Sequence, residues 1–159
     1  MIIPSVRSRA FAAWFLADRG RFADAQAQIE RGEATLREID QPYSRVLLNA
    51  ARGVLAIRSG RPQDAVAPLE QARQFCLAQR FFAMEPCVSG WLASALTAVG
   101  EPERARMIAS HSIDAGLYRH GGRYTWVYIH QGLAEAQYAA GEADAALDSI
   151  DKAIEIATE

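Results

Sequence analysis

The sequence is short of several residue types and patterns that would place it in a specialised class of protein. It contains a single lysine, Lys152, and two cysteines, Cys76 and Cys87, among 159 residues. Two cysteines do not make the disulfide framework of a small secreted protein, so we expect reduced, buried thiols. No apolar run approaches the ~20 residues that cross a bilayer, and residues 1–4 lack the pattern of a signal peptide. These absences predict a cytoplasmic protein, and the preference for alanine and for arginine over lysine indicates a bacterial source with GC-rich DNA.

Motifs that carry catalysis, cofactors or metal ions are also missing. No Gly-rich loop ends in Lys-Ser or Lys-Thr, and there is no His-Glu-x-x-His or Cys-x-x-Cys pair. His111, His120 and His130 are far apart along the chain and belong to different predicted elements. Ser89 or Ser94 beside His130 has no orienting acid at a useful spacing. We therefore expect a protein that is not an enzyme, with no catalytic residue, no cofactor and no metal site.

The charge is nearly balanced but unevenly distributed. The formal net charge is −2, which argues against a direct nucleic-acid binder, since such proteins usually carry a strongly basic face. Residues 1–80 hold 12 arginines and 8 acids, whereas residues 81–159 hold 5 basic residues and 11 acids. This polarity could orient a partner along the chain, and solvated helix faces would account for it as well.

What the sequence does contain is a regular series of small residues. Four glycines recur at a nearly constant interval, with an alanine five positions after each and a small residue seven positions before it. The interval is about 40 positions, and a period of this length is typical of a stacked helical repeat. The glycines are Gly20, Gly60, Gly100 and Gly141, the residues before them are Ala13, Gly53, Ala93 and Ala134, and those after them are Ala25, Ala65, Ala105 and Ala146.

Amphipathic runs rich in helix-forming residues lie on both sides of every glycine, which predicts an all-α fold of four antiparallel helix pairs. Each glycine falls where a helix end favours the left-handed conformation. The small residues of a pair are expected to face each other, with the apolar residue nine after each glycine filling the gap. The predicted helices cover residues 5–19, 22–39, 43–59, 62–79, 84–99, 102–117, 124–140 and 143–158, with a flexible turn at 120–122. They form one domain over 1–159, with repeats at about 5–41, 42–80, 81–119 and 120–159.

The segments Gly60–Ala65 and Gly141–Ala146 resemble the turn between the two helices of a tetratricopeptide repeat. The resemblance covers roughly residues 5–158 and implies a right-handed α-solenoid whose first helices line a concave, partner-binding surface. The repeat departs from the usual pattern because it has ~40 rather than about 34 residues. The family's bulky aromatic residue early in the first helix is also absent in register. Long repeats of this kind are similar to the helical arrays of MalT-like and other LuxR-type bacterial regulators.

The face of each first helix that points away from its partner supplies a candidate peptide or ligand groove. Aromatic and arginine side chains are the residues that most often anchor an interface, and Ala50, Ala51 and Gly90 between them would leave room for a guest. An equally open alternative is that Trp14 and Trp91 plug a tightly curved surface. The candidate groove residues are Phe11, Trp14, Asp18, Val54, Ile57, Arg58, Trp91, Ser94, Thr97, Tyr128, Gln131, Glu135 and Tyr138.

The last predicted helix carries a second apolar stripe, formed by Leu147 and Ile154, where the first repeat has Gln26 and Glu33. An uncovered apolar stripe indicates self-association, as in a homodimer, or attachment to a larger parent protein. The leading hypothesis is a non-enzymatic scaffold that binds a peptide or protein segment in its groove, without membrane or direct nucleic-acid contact. The alternative is a ligand-sensing or oligomerisation segment of a bacterial signalling or transcriptional regulator.

Overall fold

The computed structural model describes residues 3–39, 41–117 and 122–158. Every regular element in these ranges is a helix, which confirms the predicted all-α fold. Each helix end except that of the sixth lies within one residue of its predicted position. The helices of the described chain are α1 Pro4–Asp18, α2 Phe22–Glu38, α3 Pro42–Arg58, α4 Pro62–Ala78, α5 Glu85–Ala98, α6 Pro102–Asp114, α7 Arg123–Ala139 and α8 Ala143–Thr158.

Helix α6 is shorter than the prediction, which extended it to Leu117. Gly116 adopts the left-handed conformation with φ of 64°, and its N–H donates to the carbonyl of Ile113 at 2.9 Å. This turn ends the helix at Asp114. Of the turn predicted at 120–122, His120 and Gly121 lie outside the described residues.

The four periodic glycines end the first helix of each pair as predicted. Their φ values are 73°, 75°, 89° and 85° for Gly20, Gly60, Gly100 and Gly141. Each glycine N–H donates to the carbonyl three residues back, and the next N–H reaches the carbonyl five residues back; Arg21, for example, bonds to Leu16 at 2.9 Å. These two hydrogen bonds satisfy carbonyls that the helix leaves open and set the sharp reversal into the next helix.

The small residues of all four pairs are buried, as expected for residues at a helix crossing. At Gly53, an added Cβ would stand 2.4 Å from Cγ of Leu69, the residue predicted to fill that gap. Ile29, Leu69 and Ala109 are fully buried, but Ile150 at the same place in α8 is 36% exposed. The prediction for Ile150 is therefore wrong, because no described helix covers that side of α8.

The chain divides into two compact units, Met1–Ala72 and Arg73–Glu159, with α4 running from the first into the second. In the first unit, α3 contacts both α1 and α2. In the second, α7 contacts α5, α6 and α8. Within each unit, the first helix of a pair thus packs on both helices of the pair before it. The right-handed sense of stacking, the repeat boundaries and the single domain over 1–159 stay predictions.

Candidate functional site

The candidate groove residues of the first unit fall into an aromatic stack and an ion pair. The rings of Phe11 and Trp14 stack with centroids 5.9 Å apart, and Phe15 extends the stack at 5.7 Å from Trp14. Arg58 Nε donates to Asp18 Oδ1 at 2.7 Å, so α3 and α1 are joined by two of the predicted residues. Phe15 was missed in the sequence, although it stands four residues after Phe11 and is the most exposed ring of the three.

Two other residues of this set in the first unit differ in accessibility. Ile57 is partly exposed, whereas Val54 is 1% exposed and its side chain belongs to the interior. Trp14 is also buried, and so is Trp91 in the second unit. For these two tryptophans, burial favours packing against neighbouring helices over open contact with a ligand.

The second unit brings four of its predicted residues into two pairs. The rings of Trp91 on α5 and Tyr128 on α7 lie with centroids 5.2 Å apart. One turn further along α7, the amide of Gln131 donates to Glu135 Oε1 at 2.8 Å. Ser94 and Thr97 on α5 are partly exposed, and Tyr138 near the end of α7 is the most exposed of all, at 74%. These groove assignments stay predictions.

Gly90 does not leave room for a guest. A Cβ added at this position would stand 2.2 Å from the carbonyl oxygen of Tyr128, and one added at Gly132 would stand 2.4 Å from the carbonyl oxygen of Gly90. The backbones of α5 and α7 therefore touch here with no side chain between them. Ala50 and Ala51 are buried as well, so the three small residues serve helix packing and not ligand space.

An open apolar groove lies between α7 and α8. It has a volume of about 390 Å³. Tyr138 from the predicted peptide groove and Leu147 from the predicted self-association stripe both line it, and Leu147 is 62% exposed. The prediction had placed these two residues on separate surfaces. The residues that line this α7–α8 groove are Ala134, Glu135, Tyr138, Ala143, Ala146, Leu147 and Ile150.

Part of this surface is covered in the earlier pairs. Ala17 and Ile29 occupy the places of Tyr138 and Ile150 in the first pair, where α3 contacts both helices, and both are buried. In the third pair Ala109 takes the place of Ile150 and is fully buried, with α7 against both helices. The Ile150 side of the α7–α8 groove therefore corresponds to the surface on which the first helix of the next pair packs in the first and third pairs. The places of Leu147, occupied there by Gln26 and Arg106, are not buried.

A stripe of acidic residues borders this groove on α8. Ile154, 55% exposed, extends the apolar stripe by two turns beyond Leu147. Directly beside it on the helix surface, four exposed carboxylates follow at i, i+4, i+7 and i+11. The carboxylates are those of Asp144, Asp148, Asp151 and Glu155. Lys152 pairs with Glu155 at 2.7 Å, so the border keeps a net negative charge.

A buried polar cluster lies elsewhere in the second unit. The carboxylate of Glu85 is fully buried and accepts hydrogen bonds from the hydroxyls of Ser89 (2.6 Å) and Ser112. Arg73 Nε lies 3.4 Å from Glu85 and donates to Ser89 Oγ at 2.9 Å. We name Arg73, Glu85, Ser89 and Ser112 the glutamate cluster. The hydroxyl of Ser89 is committed to this cluster, which leaves it unsuited to act as a nucleophile with His130.

Burial shifts the pKa values of the two thiols and of His130. Cys76 and Cys87 are buried free thiols. Burial, reinforced by the charge of Glu85, raises the pKa of Cys76 to about 12, and burial raises the pKa of Cys87 well above its ordinary value. Burial and the nearby charge of Lys152 lower the pKa of His130, so its imidazole is neutral at pH 7.

A comparison with known families finds similarity in the two outer pairs. A family model for the tetratricopeptide repeat matches residues 6–31 and 127–152. Each match spans the end of a first helix, its glycine and the start of the second helix, and Gly20 and Gly141 stand at the same place in the two matched segments. These two matches and the all-helical fold of the described residues support a tetratricopeptide-like repeat architecture. No curated protein and no solved structure matches it.

Tetratricopeptide repeats generally serve as protein-interaction modules and are generally not catalytic. Among the described residues of this repeat protein, no group of His, Cys, Asp and Glu could hold a metal ion. None of its described helices is both long enough and apolar enough to cross a membrane.

Proposed function

We propose that this tetratricopeptide-like chain is a non-enzymatic interaction module, and that a helix of a partner protein binds in the α7–α8 groove. The observation that carries the proposal is the recurrence of one surface. The first and third pairs bury the place of Ile150 beneath α3 and α7, whereas the last pair leaves Ile150 partly exposed beside Tyr138 and Leu147. A surface shaped for the next helix offers a partner helix the same ridges and grooves.

The borders of the groove favour a basic amphipathic helix as the occupant. The apolar lining selects an apolar helix face, while Glu135 and the four carboxylates of α8 select arginine or lysine along its sides. Helix α3 has this chemistry, since it carries Arg45, Arg52 and Arg58 and no acid. A synthetic peptide with the sequence of residues 42–58 is therefore a suitable first probe.

The test is fluorescence anisotropy of this labelled peptide titrated with the full chain. We expect saturable binding that Leu147→Ser and Tyr138→Ser weaken by about tenfold each, because each removes a large exposed apolar contact. Met107→Ser is the matched control, since Met107 is 66% exposed on α6 and lies outside the groove. Equal affinities for the parent, Leu147→Ser and Met107→Ser would contradict the proposal.

Self-association through Leu147 and Ile154 is the competing use of the same surface, as in an oligomerisation segment of a bacterial regulator. The observation that favours it is the exposure of both side chains. Light scattering separates the two uses. A dimer that Leu147→Ser converts to a monomer favours self-association, whereas a monomeric parent that still binds the peptide favours the partner helix.

A further inference from the structure

The first helix carries an aromatic stripe that no described helix covers. Arg7, Phe11, Phe15 and Arg19 follow one another at intervals of four residues, so they share one face of α1 and its C-cap. The rings of Phe11 and Phe15 stack with centroids 6.5 Å apart, and Phe15 is 60% exposed. Both arginines are exposed as well. We name these four residues the α1 stripe.

The places of Phe11 and Phe15 are buried in the later first helices. These two residues stand nine and five positions before the periodic glycine of their pair. Among the four first helices of the described chain, only α1 therefore exposes this face. The counterparts, all buried, are Ala51 and Leu55 in α3, Trp91 and Ala95 in α5, and Gly132 and Ala136 in α7.

This face is the one with which a first helix packs on the pair before it. On α7, a Cβ added at Gly132 would stand 2.4 Å from the carbonyl oxygen of Gly90 on α5. On α3, the same face includes Leu48, which stands two turns before Leu55. A Cβ added at Gly32 of α2 would stand 2.7 Å from Leu48 Cδ2. The α1 stripe therefore offers the contact by which α3 and α7 pack on the pairs that precede them.

The last pair exposes the opposite half of the same contact. Ile150 stands at the place that is buried in the first and third pairs, where α3 and α7 pack, and it is 36% exposed in the α7–α8 groove. The stripe also has larger side chains than its counterparts, since α3 and α7 have glycine, alanine or leucine where α1 has two phenylalanines. The open groove, with a volume of about 390 Å³, leaves space for such rings.

The charges of the two surfaces are complementary. The α1 stripe has an exposed arginine at each end, and the only acid of α1, Asp18, pairs with Arg58 at 2.7 Å. The α7–α8 groove is lined by Glu135 and bordered by the four exposed carboxylates of α8. An apolar face flanked by guanidinium groups thus matches an apolar groove flanked by carboxylates.

We propose that the α1 stripe of one copy binds in the α7–α8 groove of a second copy, so that copies associate head to tail. In this contact, α1 packs on α7 and α8 of the other copy as α3 packs on α1 and α2 within each chain. The inference rests on the proposed function, because it takes the groove as a helix-binding surface and names the helix. Two different surfaces meet, so each added copy presents one of each again, unlike a symmetric pairing of Leu147 and Ile154.

The test is sedimentation velocity of the full chain and of two complementary variants. We expect the weight-average mass of the parent to rise between about 10 μM and 1 mM and to fall at high salt. Phe15→Ser removes the stripe and Tyr138→Ser alters the groove, so each variant alone should stay monomeric. Their equimolar mixture should form a dimer and no larger species, because each variant retains the surface that the other has lost.

The controls separate a lost contact from a lost fold. Met107→Ser changes an exposed apolar residue outside both surfaces and should associate like the parent. Arg19→Glu retains both rings and reverses one exposed charge, and it should weaken the association by about tenfold. Circular dichroism verifies that every variant keeps the helix content of the parent.

The outcomes distinguish this inference from the function on which it rests. A parent or a mixture that stays monomeric up to about 1 mM would overturn the head-to-tail contact. Association that Phe15→Ser leaves unchanged would overturn it too and would assign the association to the stripe of Leu147 and Ile154. If a monomeric parent binds the peptide of residues 42–58, only the head-to-tail contact fails. If the peptide does not bind, the proposed function itself fails.

Discussion

The junction between α2 and α3 and the junction between α4 and α5 carry opposite charge patterns at equivalent positions. At the first junction the acid, Glu33, comes from the second helix and the cation, Arg45, from the following helix. At the other, Arg73 and Glu85 exchange these roles, and the carboxylate is sealed inside. The glycines and small residues therefore determine the helical scaffold. The polar residues of each junction determine whether its charged side chains are buried or exposed.

The two junctions should differ most in the stability that is lost when Glu85 or its counterpart Arg45 is truncated to alanine. Glu85→Ala leaves Arg73 and the hydroxyls of Ser89 and Ser112 without their acceptor, and we expect a loss of about 3–5 kcal/mol in the free energy of unfolding. Arg45→Ala removes an exposed side chain, and we expect a change within about 0.5 kcal/mol.

Urea unfolding followed by circular dichroism measures both changes. Glu85→Gln is the control that retains the shape of the side chain and removes its charge, and it should lie between the parent and Glu85→Ala. Similar losses for Glu85→Ala and Arg45→Ala would show that the two junctions do not differ in the way described.

A second difference concerns how closely the first helices approach their neighbours. Ala50 on α3 and Gly90 on α5 occupy equivalent positions relative to Gly60 and Gly100. Gly90→Ala would place a Cβ 2.2 Å from the carbonyl oxygen of Tyr128. We expect it to destabilise the chain by about 1–3 kcal/mol, although alanine favours helix formation over glycine. The reverse change, Ala50→Gly, should cost about 0.5–1 kcal/mol from helix propensity alone. Thermal unfolding of both variants tests the contrast, and a stabilised Gly90→Ala protein would contradict it.

The smallest expected effect is a dependence of stability on pH that is specific to the second unit. The folded structure lowers the pKa of His130 below that of the unfolded chain, chiefly by burial and then by the charge of Lys152. The unfolded chain therefore takes up a proton first as the pH falls below about 6.5. The stabilisation contributed by neutral His130 is present above that pH and is lost as the pH falls toward the folded pKa.

Urea unfolding between pH 7.5 and pH 5 of the parent and of His130→Gln measures this contribution as a difference between two curves. The parent should lose more stability than the variant over this interval. His111→Gln, which changes an exposed histidine on α6, is the control for the loss of an imidazole as such. Parallel curves for the parent and His130→Gln would show that His130 does not contribute to the pH dependence of stability.

The helices were predictable because their signals are local. The periodic glycines, the prolines near helix starts and the small residues at each crossing gave seven of eight helices to within one residue at both ends. The end of α6 was missed because Gly116 does not belong to the periodic series of glycines, so the sequence pattern did not mark it as a helix end.

The sites were less predictable because they depend on contacts between helices. Periodicity selects a face of a helix but does not say whether another helix covers it, so Val54 was placed on an open surface and lies buried, and the two alternatives for Trp14 could not be separated. Glu85 could have been noticed, because it is the only charged residue between Arg80 and Glu101. The cleft between α2 and α3 was not predictable, because nothing in the sequence indicates that Arg37 and Arg45 line the same cleft.

The contact of Gly90 with the backbone of α7 has a consequence for how this chain can vary. Most overpacked positions can be rescued by shrinking a neighbouring side chain. Here the atom in the way is a backbone carbonyl oxygen of Tyr128, and the facing residue, Gly132, has no side chain to give up. No second substitution at the contact can therefore remove the atom that the new Cβ would strike. In a selection for suppressors of Gly90→Ala, reversion to glycine should dominate, and any other rescue should map to residues that shift α7 as a whole.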